Sequence, residues 1–284
     1  MTTTDLAPEP EAPTRRHHRE RRKQRRRVSI VGVIGELLIT GGVIVLMFIG
    51  WQLYLSELIV GHEERQVATE LRDEWNREAT TAPPPSETPT AEPEPVVPAD
   101  PASETPPMYD APIPVAPAAN ARFATLLVPR WGADYSRTIA EGISTPEVLD
   151  RGRLGHYTNT QMPGETGNFA IAAHRMGHGG SLHYIHELRL GDHIFVETKE
   201  GWYRYSFRNL EYVRPTGVGV LNPVPQDTST APSEHYITLT SCNPMHTSDE
   251  RIIAYGVYDG FWPRDAGAPN FGAPAELAPM VAAS

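Results

Sequence analysis

The sequence predicts an all-β domain, either a closed barrel or a sandwich, and two observations lead to that prediction. Between residues 121 and 262, short runs rich in β-branched and aromatic side chains are separated by turn-forming residues. Helical patterns in the same stretch are few and short. Strands must therefore supply the core of this part of the chain, and no internal repeat divides it.

The chain starts with a basic segment that is followed by a long apolar run. Residues 1–27 hold nine Lys and Arg against four Asp and Glu, although the whole chain carries a net charge of −10. A basic cluster alone is typical of nucleic-acid binding. Residues 37–55, however, contain no charged side chain and are long enough for a helix to cross a bilayer. We therefore predict a cytoplasmic tail at 1–27, a transmembrane anchor at 28–55 and no nucleic-acid partner.

The composition changes four more times along the chain. Apolar residues at helical spacing predict a juxtamembrane helix at 56–80. Pro, Ala, Glu, Ser and Thr dominate residues 81–120, which predicts an extracellular linker without a core of its own. The folded domain then occupies 121–262, and the Ala-, Pro- and Gly-rich residues 263–284 are predicted to be a flexible tail.

Within the folded domain, the elements follow from local patterns. Alternating or β-branched runs predict strands at 122–128, 136–142, 168–174, 192–198, 202–213, 235–241 and 251–258. The fourth and fifth of these flank Lys-Glu-Gly and are predicted to form a hairpin. Ser144 and Glu147 make a capping box for a short helix at 144–152, and a second short helix at 181–191 ends at Gly191.

Cys242, at the end of a predicted strand, is the single cysteine of the chain. Outside the cytoplasm, a lone cysteine pairs with another chain or keeps a reactive thiol, and the alternative is an inert buried side chain. A nucleophilic cysteine needs a neighbouring base and a donor for the oxyanion. His174 ends one predicted strand and Arg251 opens another, so both are candidates. Arg175 is the alternative arginine.

A group of histidines raises the question of a metal site. Four of the eleven histidines fall in one short stretch: His174, His178, His183 and His186. Their spacing matches neither His-Glu-x-x-His nor a cysteine-rich zinc pattern, and two glycines interrupt it. The sequence therefore disfavours a metal site, and we predict none.

The run "TLTSC", 238–242, resembles the Thr-Leu-x-Thr-Cys signature of sortases. Ser241 replaces the usual threonine. His174 upstream, Arg251 nine residues after the cysteine, and the N-terminal anchor fit that family too. "TPEVLDRG", 145–152, is similar to the helix that precedes the sortase substrate groove. The resemblance covers 121–262 and implies a closed eight-stranded sortase-type β-barrel with His174, Cys242 and Arg251 as catalytic residues.

Among sortases, the sequence is most similar to class E, the group common in high-GC actinobacteria. Tyr157 falls where other sortases hold an acidic residue near the substrate, and Asn243-Pro244 after the cysteine also suits this class. The resemblance implies Tyr157, Thr240 and Ser241 as substrate-binding residues. No cofactor is implied, and no clustered acidic loop indicates calcium.

The resemblance also implies a reaction and its partners. An exported protein offers a Leu-Ala-x-Thr-Gly or Leu-Pro-x-Thr-Gly type of signal, which is cut between Thr and Gly through a thioacyl enzyme on Cys242. The amine of a lipid II-like peptidoglycan precursor then accepts the protein.

Two other interpretations remain open on the sequence. An L,D-type wall transpeptidase also uses Cys and His, but it carries a histidine just before the nucleophile, which "LTSCNP" does not. A membrane-anchored binding or structural module with an inert buried cysteine is the second.

Overall fold

The structure is a computed structural model that describes residues 29–51, 56–81 and 111–282. The basic tail predicted at 1–27, the end of the apolar run and most of the Pro-rich linker lie outside these residues. Residues 111–120 belong to the predicted linker and contain no helix or strand.

The apolar run forms a helix, α1, Ile30–Gly50. Among the described residues it is the one helix that is long and apolar enough to cross a membrane. Large apolar side chains such as Leu38 and Leu46 are exposed along it. Helices that are apolar all round are found in a protein core or in a bilayer, so this helix fits the predicted anchor.

Eight strands form a closed barrel, which confirms the all-β prediction and decides between barrel and sandwich. They are β1 Arg122–Leu127, β2 Ser136–Glu141, β3 Leu154–His156, β4 Gly167–Ala172, β5 His193–Glu197, β6 Gly201–Val213, β7 His235–Asn243 and β8 Glu250–Pro263. Around the barrel the order is β1-β2-β3-β4-β7-β8-β6-β5, and β5 closes the ring on β1. Closure leaves no sheet edge unpaired.

Two pairs of neighbouring strands run parallel, and the others run antiparallel. The parallel pairs are β2 with β3 and β4 with β7. The predicted hairpin is present, because β5 and β6 pair antiparallel across the Lys-Glu-Gly turn. Alternate side chains point into the barrel, where Phe169, Leu239 and Tyr203 are almost fully buried.

Both short helices predicted inside the domain are shorter in the structure. Residues 144–152 form hydrogen-bonded turns that end in one 3-10 turn, Leu149–Arg151, because Gly152 takes a left-handed conformation and ends it. Residues 181–191 contain only the 3-10 turn Ile185–Glu187. Segments this short do not offset the cost of helix nucleation, so tertiary packing decides their form.

The juxtamembrane helix and the C-terminal segment both pack on the barrel. The helix α2, Ser56–Thr81, buries Ala68 and Trp75. The last helix, α3 Ala278–Val281, follows a 3-10 turn that buries Leu277 completely in the core. We expected a flexible tail here, but two apolar side chains, Leu277 and Met280, fix this segment against the barrel.

Candidate active site

Three strand ends meet at one edge of the barrel and bring the predicted catalytic residues together. The parallel register pairs Ala172 of β4 with Thr240 of β7, and the Ala173 N–H extends the ladder to the Thr240 carbonyl at 3.2 Å. His174 follows at once, so it lies beside Cys242. On the other side of β7, Cys242 is paired directly with Arg251 of β8. Directly opposed residues share a face with Cβ atoms about 4.5–5.5 Å apart.

The side chain of His174 makes a hydrogen bond to Asp150, a residue that lies outside the strands. Its Nε2 lies 2.8 Å from Asp150 Oδ1. A carboxylate accepts, so Nε2 carries the proton in this arrangement and Nδ1 keeps the lone pair. A third group that fixes the tautomer and the orientation of a basic imidazole is a recurrent part of nucleophilic active sites. The His174 side chain remains 27% exposed, which leaves room for a reacting group.

The Arg251 guanidinium is held by its own loop in this structure. Its Nη1 donates to the carbonyl oxygens of Ser248 and Glu250, both at 2.9 Å. Both acceptors are backbone groups, and the side chain is partly exposed. Exchange of these neutral acceptors for a substrate oxygen therefore requires only a side-chain rotation.

The alternative arginine, Arg175, lies on the other side of Cys242 and is 5% exposed. Its Nη1 donates to the Cys242 carbonyl at 3.4 Å and to Asn243 Oδ1. Burial lowers the pKa of the guanidinium, against smaller effects of Tyr212 and Cys242 that raise it. Arg175 therefore fixes the backbone of the strand end that carries the cysteine.

Tyr157 and Thr240 lie on the same side of the barrel as Cys242. Thr240 is two residues before the cysteine on β7, and side chains two apart on a strand share a face. The Tyr157 hydroxyl lies 3.1 Å from Thr240 Oγ1, and Thr240 Oγ1 also lies 3.3 Å from the Ile171 carbonyl. A carbonyl only accepts, so Thr240 donates to it and Tyr157 donates to Thr240. The Tyr157 oxygen then keeps its lone pairs for another donor.

Ser241 points the other way. It alternates with Thr240 and Cys242, is 3% exposed, and donates from Oγ to the Ala173 carbonyl at 2.8 Å. This placement argues against the substrate contact that we expected of Ser241. Its hydroxyl connects β7 to β4 and thereby sets the distance between Cys242 and His174.

Asp150 is a site residue that the sequence did not indicate. It lies in the turn that we expected to be a helix, 24 positions before the histidine that it contacts. No local spacing relates the two residues, because the antiparallel pairing of β3 with β4 is what brings the turn before β3 near the end of β4. His178 joins the same group, with its ring centroid 5.0 Å from that of His174.

The arrangement has the parts required for acyl transfer through a cysteine. A thiol, an imidazole oriented by a carboxylate and a partly exposed guanidinium lie at one edge of the barrel. These are the groups that a thiolate nucleophile, an acid–base residue and an oxyanion donor need.

Comparison with known proteins finds matches to one family. A family model described as "Sortase domain" matches residues 126–259. The chain is similar to Sortase SrtE1 of Streptomyces coelicolor, with 33% identity over 92% of this chain and 67% of that protein. It is 30% identical to Sortase SrtE2 of the same organism, over 89% of this chain and 91% of that protein. The solved SrtA sortase from Actinomyces oris matches with a TM-score of 0.54 and 36% identity, over 57% of this chain and 93% of that one.

Proposed function

This chain belongs to the sortase family of cysteine transpeptidases and has class E relatives, and we propose that it attaches exported proteins to the cell wall. Family membership sets aside the two other interpretations, the L,D-type transpeptidase and the inert module. The observation that carries the proposal concerns the ends of three neighbouring strands. His174 follows β4, Cys242 lies near the end of β7 and Arg251 near the start of β8, all at one edge of the barrel.

In the first half of the proposed reaction, the Cys242 thiol gives its proton to Nδ1 of His174, and the resulting thiolate attacks the carbonyl carbon of the signal threonine. The carbonyl oxygen becomes an oxyanion, and Arg251 rotates from its loop carbonyls to donate to it. The Thr–Gly carbon–nitrogen bond then breaks. His174 gives its proton to the departing glycine amine, and the threonine remains bound to Cys242 as a thioester.

In the second half, an amine of a peptidoglycan precursor attacks the thioester carbon. His174, now neutral, takes a proton from this amine. The carbon–sulfur bond breaks, a new amide forms, and Cys242 returns as the thiolate. Asp150 keeps Nε2 of the imidazole occupied in both halves, so Nδ1 is the nitrogen that exchanges the proton.

The proposed substrate carries Leu-Ala-x-Thr-Gly rather than Leu-Pro-x-Thr-Gly. Tyr157 supports the preference, because its hydroxyl donates to Thr240. The Tyr157 oxygen still accepts a hydrogen bond on the face that Thr240 shares with Cys242. An alanine at the second signal position offers a backbone N–H to this acceptor, and a proline does not.

We also propose the orientation at the membrane. The cationic excess before α1 favours a cytoplasmic N-terminus, and a single span then places the barrel outside the cell. Substrates that are still in the membrane after export would reach the barrel there.

The direct test uses the full-length chain in detergent with sorting-signal peptides and an amine acceptor, and mass spectrometry detects the products. Cys242→Ala should abolish both cleavage and transfer. His174→Ala should lower turnover by about 10²–10⁴-fold, the usual loss for a general acid–base residue. Thermal unfolding serves as the control for folding. Normal turnover by a folded Cys242→Ala protein would overturn the proposal.

A further inference from the structure

Three side chains beside the proposed active site offer ligand atoms of the types that zinc accepts. Asp150 Oδ1 lies 2.8 Å from His174 Nε2 and 3.7 Å from His178 Nε2. The ligand atoms of the three residues all lie within 4.8 Å of one another. Ligands bound at about 2.0–2.2 Å around a tetrahedral ion are roughly 3.3–3.5 Å apart, so small side-chain rotations suffice to coordinate one.

The protonation of His178 is set for coordination. Its Nδ1 lies 3.2 Å from the Asp150 backbone carbonyl, which only accepts, so Nδ1 carries the proton and Nε2 carries a lone pair. That lone pair faces the Asp150 carboxylate oxygen without a proton between them. Metal-ligating histidines characteristically donate their other nitrogen to a backbone carbonyl or a carboxylate in this way.

The two segments that supply Asp150 and His178 are packed closely against each other and against α2. A Cβ on Gly152 would lie 2.5 Å from Val60 Cγ1 and 3.0 Å from the His178 carbonyl oxygen. A Cβ on Gly179 would lie 2.9 Å from the same Val60 methyl group. Glycine is therefore required at both positions, and the ligands lie on backbone that is already in place.

The group is open to solvent on one side. The side chains of Asp150, His174 and His178 are 34%, 27% and 51% exposed. An ion can therefore enter without unfolding any element. Three protein ligands plus one water or substrate atom is the usual arrangement of an accessible zinc site.

We propose that Asp150, His174 and His178 bind a divalent transition ion of the zinc type, and that the bound ion stops the transfer reaction. Coordination at His174 Nε2 displaces its proton and moves the imidazole to the Nδ1–H tautomer. The nitrogen that exchanges protons with the substrate then has no lone pair. Zn²⁺ also withdraws Asp150 from its role as positioning residue. The inhibition rests on the proposed role of His174, whereas the binding does not.

Binding is measured first, on the untagged full-length chain in detergent, by Zn²⁺ titration and by the visible absorption of Co²⁺. His178→Ala should weaken Zn²⁺ binding by at least about tenfold, since loss of even an outer-shell partner costs about 10- to 100-fold. His186→Ala is the matched control, because that exposed histidine lies in the same stretch outside the group. Cys242→Ala should bind as the wild type does, which excludes the thiol as the main ligand.

Inhibition is measured next, with a sorting-signal peptide and graded free Zn²⁺. The His178→Ala enzyme, measured relative to its own turnover without the ion, should need at least about ten times more Zn²⁺ for half inhibition. Zn²⁺ binding that is equal in wild type and His178→Ala, or that is lost in Cys242→Ala, would overturn the site. If the metal binds as expected but His174→Ala retains full turnover, the proposed catalytic role of His174 fails and the metal site stands.

Discussion

At the residue scale, two arginines lie close to Cys242 and differ in what they contact. Arg175 is buried and holds the backbone of Cys242 and Asn243, whereas Arg251 is partly exposed and contacts carbonyls of its own loop. A buried guanidinium with protein partners contributes to stability. A partly exposed cation that donates only to backbone carbonyls of its own loop can exchange them for a substrate oxygen as charge develops during a reaction.

Substitution of Arg251 should therefore lower activity, whereas substitution of Arg175 should lower stability. Arg251→Ala should lower kcat by about 10²–10³-fold, the loss typical for one oxyanion donor, with little change in Tm. Arg251→Lys should remain impaired, because lysine keeps the charge and loses the planar fork. Arg175→Ala should lower the free energy of unfolding by about 1–3 kcal/mol, since two partly buried acceptors lose a charged donor. Near-normal kcat/KM in Arg251→Ala together with a stable but inactive Arg175→Ala would reverse these roles.

Tyr157 gives a second prediction at this scale. Tyr157→Phe removes the acceptor proposed for the substrate N–H while the ring stays in place. It should reduce the preference for alanine over proline at the second signal position, within the 5- to 100-fold that 1–3 kcal/mol allows. Tyr157→Glu should shift the preference toward proline. The measurement is kcat/KM for both peptides.

Thr240→Val is the matched control for Tyr157. It removes the partner of the Tyr157 hydroxyl and leaves that hydroxyl itself in place. The preference should therefore survive in Thr240→Val better than in Tyr157→Phe. Equal use of both peptides by the wild type would leave Tyr157 as a packing residue only.

At the element scale, a buried ion cluster fixes α2 to the barrel. Glu197 of β5 is fully buried and accepts from Arg72 of α2 at 2.8–3.0 Å and from Arg264 at 2.9 Å. The Arg264 guanidinium also lies over the rings of Trp75 and Trp202. The juxtamembrane helix is therefore held by charge and by aromatic packing at the same place.

Removal of Glu197 should release this helix. Glu197→Ala leaves two buried cations without their carboxylate, and loss of one partner of a buried pair costs about 3–5 kcal/mol. Arg72→Ala should cost less, because Arg264 still pairs with Glu197. Urea unfolding of the full-length chain in detergent gives both values.

The control is an exposed ion pair that also involves α2. Arg65 of this helix lies 3.1 Å from Asp134, in the loop between β1 and β2. Asp134 is 83% exposed, so Asp134→Ala should change the free energy of unfolding by less than about 1 kcal/mol. Equal effects at the buried and the exposed pair would contradict the assignment of Glu197 as the residue that holds α2.

At the scale of the whole molecule, the topology at the membrane can be tested without any activity. Protease added to cells from which the wall has been removed should cut within residues 81–120, because this Pro-rich stretch is predicted to lie outside the cell. On a denaturing gel the chain should appear as two fragments, although the contacts of α2 keep the cut barrel at the membrane. Protection of this stretch in intact protoplasts, with cutting only after lysis, would reverse the orientation.

Much of the molecule could be predicted from patterns that are local in the chain. The apolar run that forms α1, the strand character of the domain and the β5–β6 hairpin all depend on side-chain periodicity over a few residues. The short run 238–242 pointed to Cys242, and the family resemblance then pointed to His174 and Arg251. The outward face shared by Thr240 and Cys242 follows from strand alternation alone.

Other features were decided only by contacts between distant parts of the chain. Pairing of β3 with β4 brought Asp150 near His174 and His178, and pairing of β4 with β7 turned Ser241 toward Ala173. Residues 144–152 are too short to form a stable α-helix, and Gly152 ends them in a 3-10 turn. Burial at the barrel also fixed Leu277, which composition alone assigned to a flexible tail. The physical reason is the same in each case. Periodicity fixes which face a side chain occupies along its own element, and only packing against another element determines which partner that face meets.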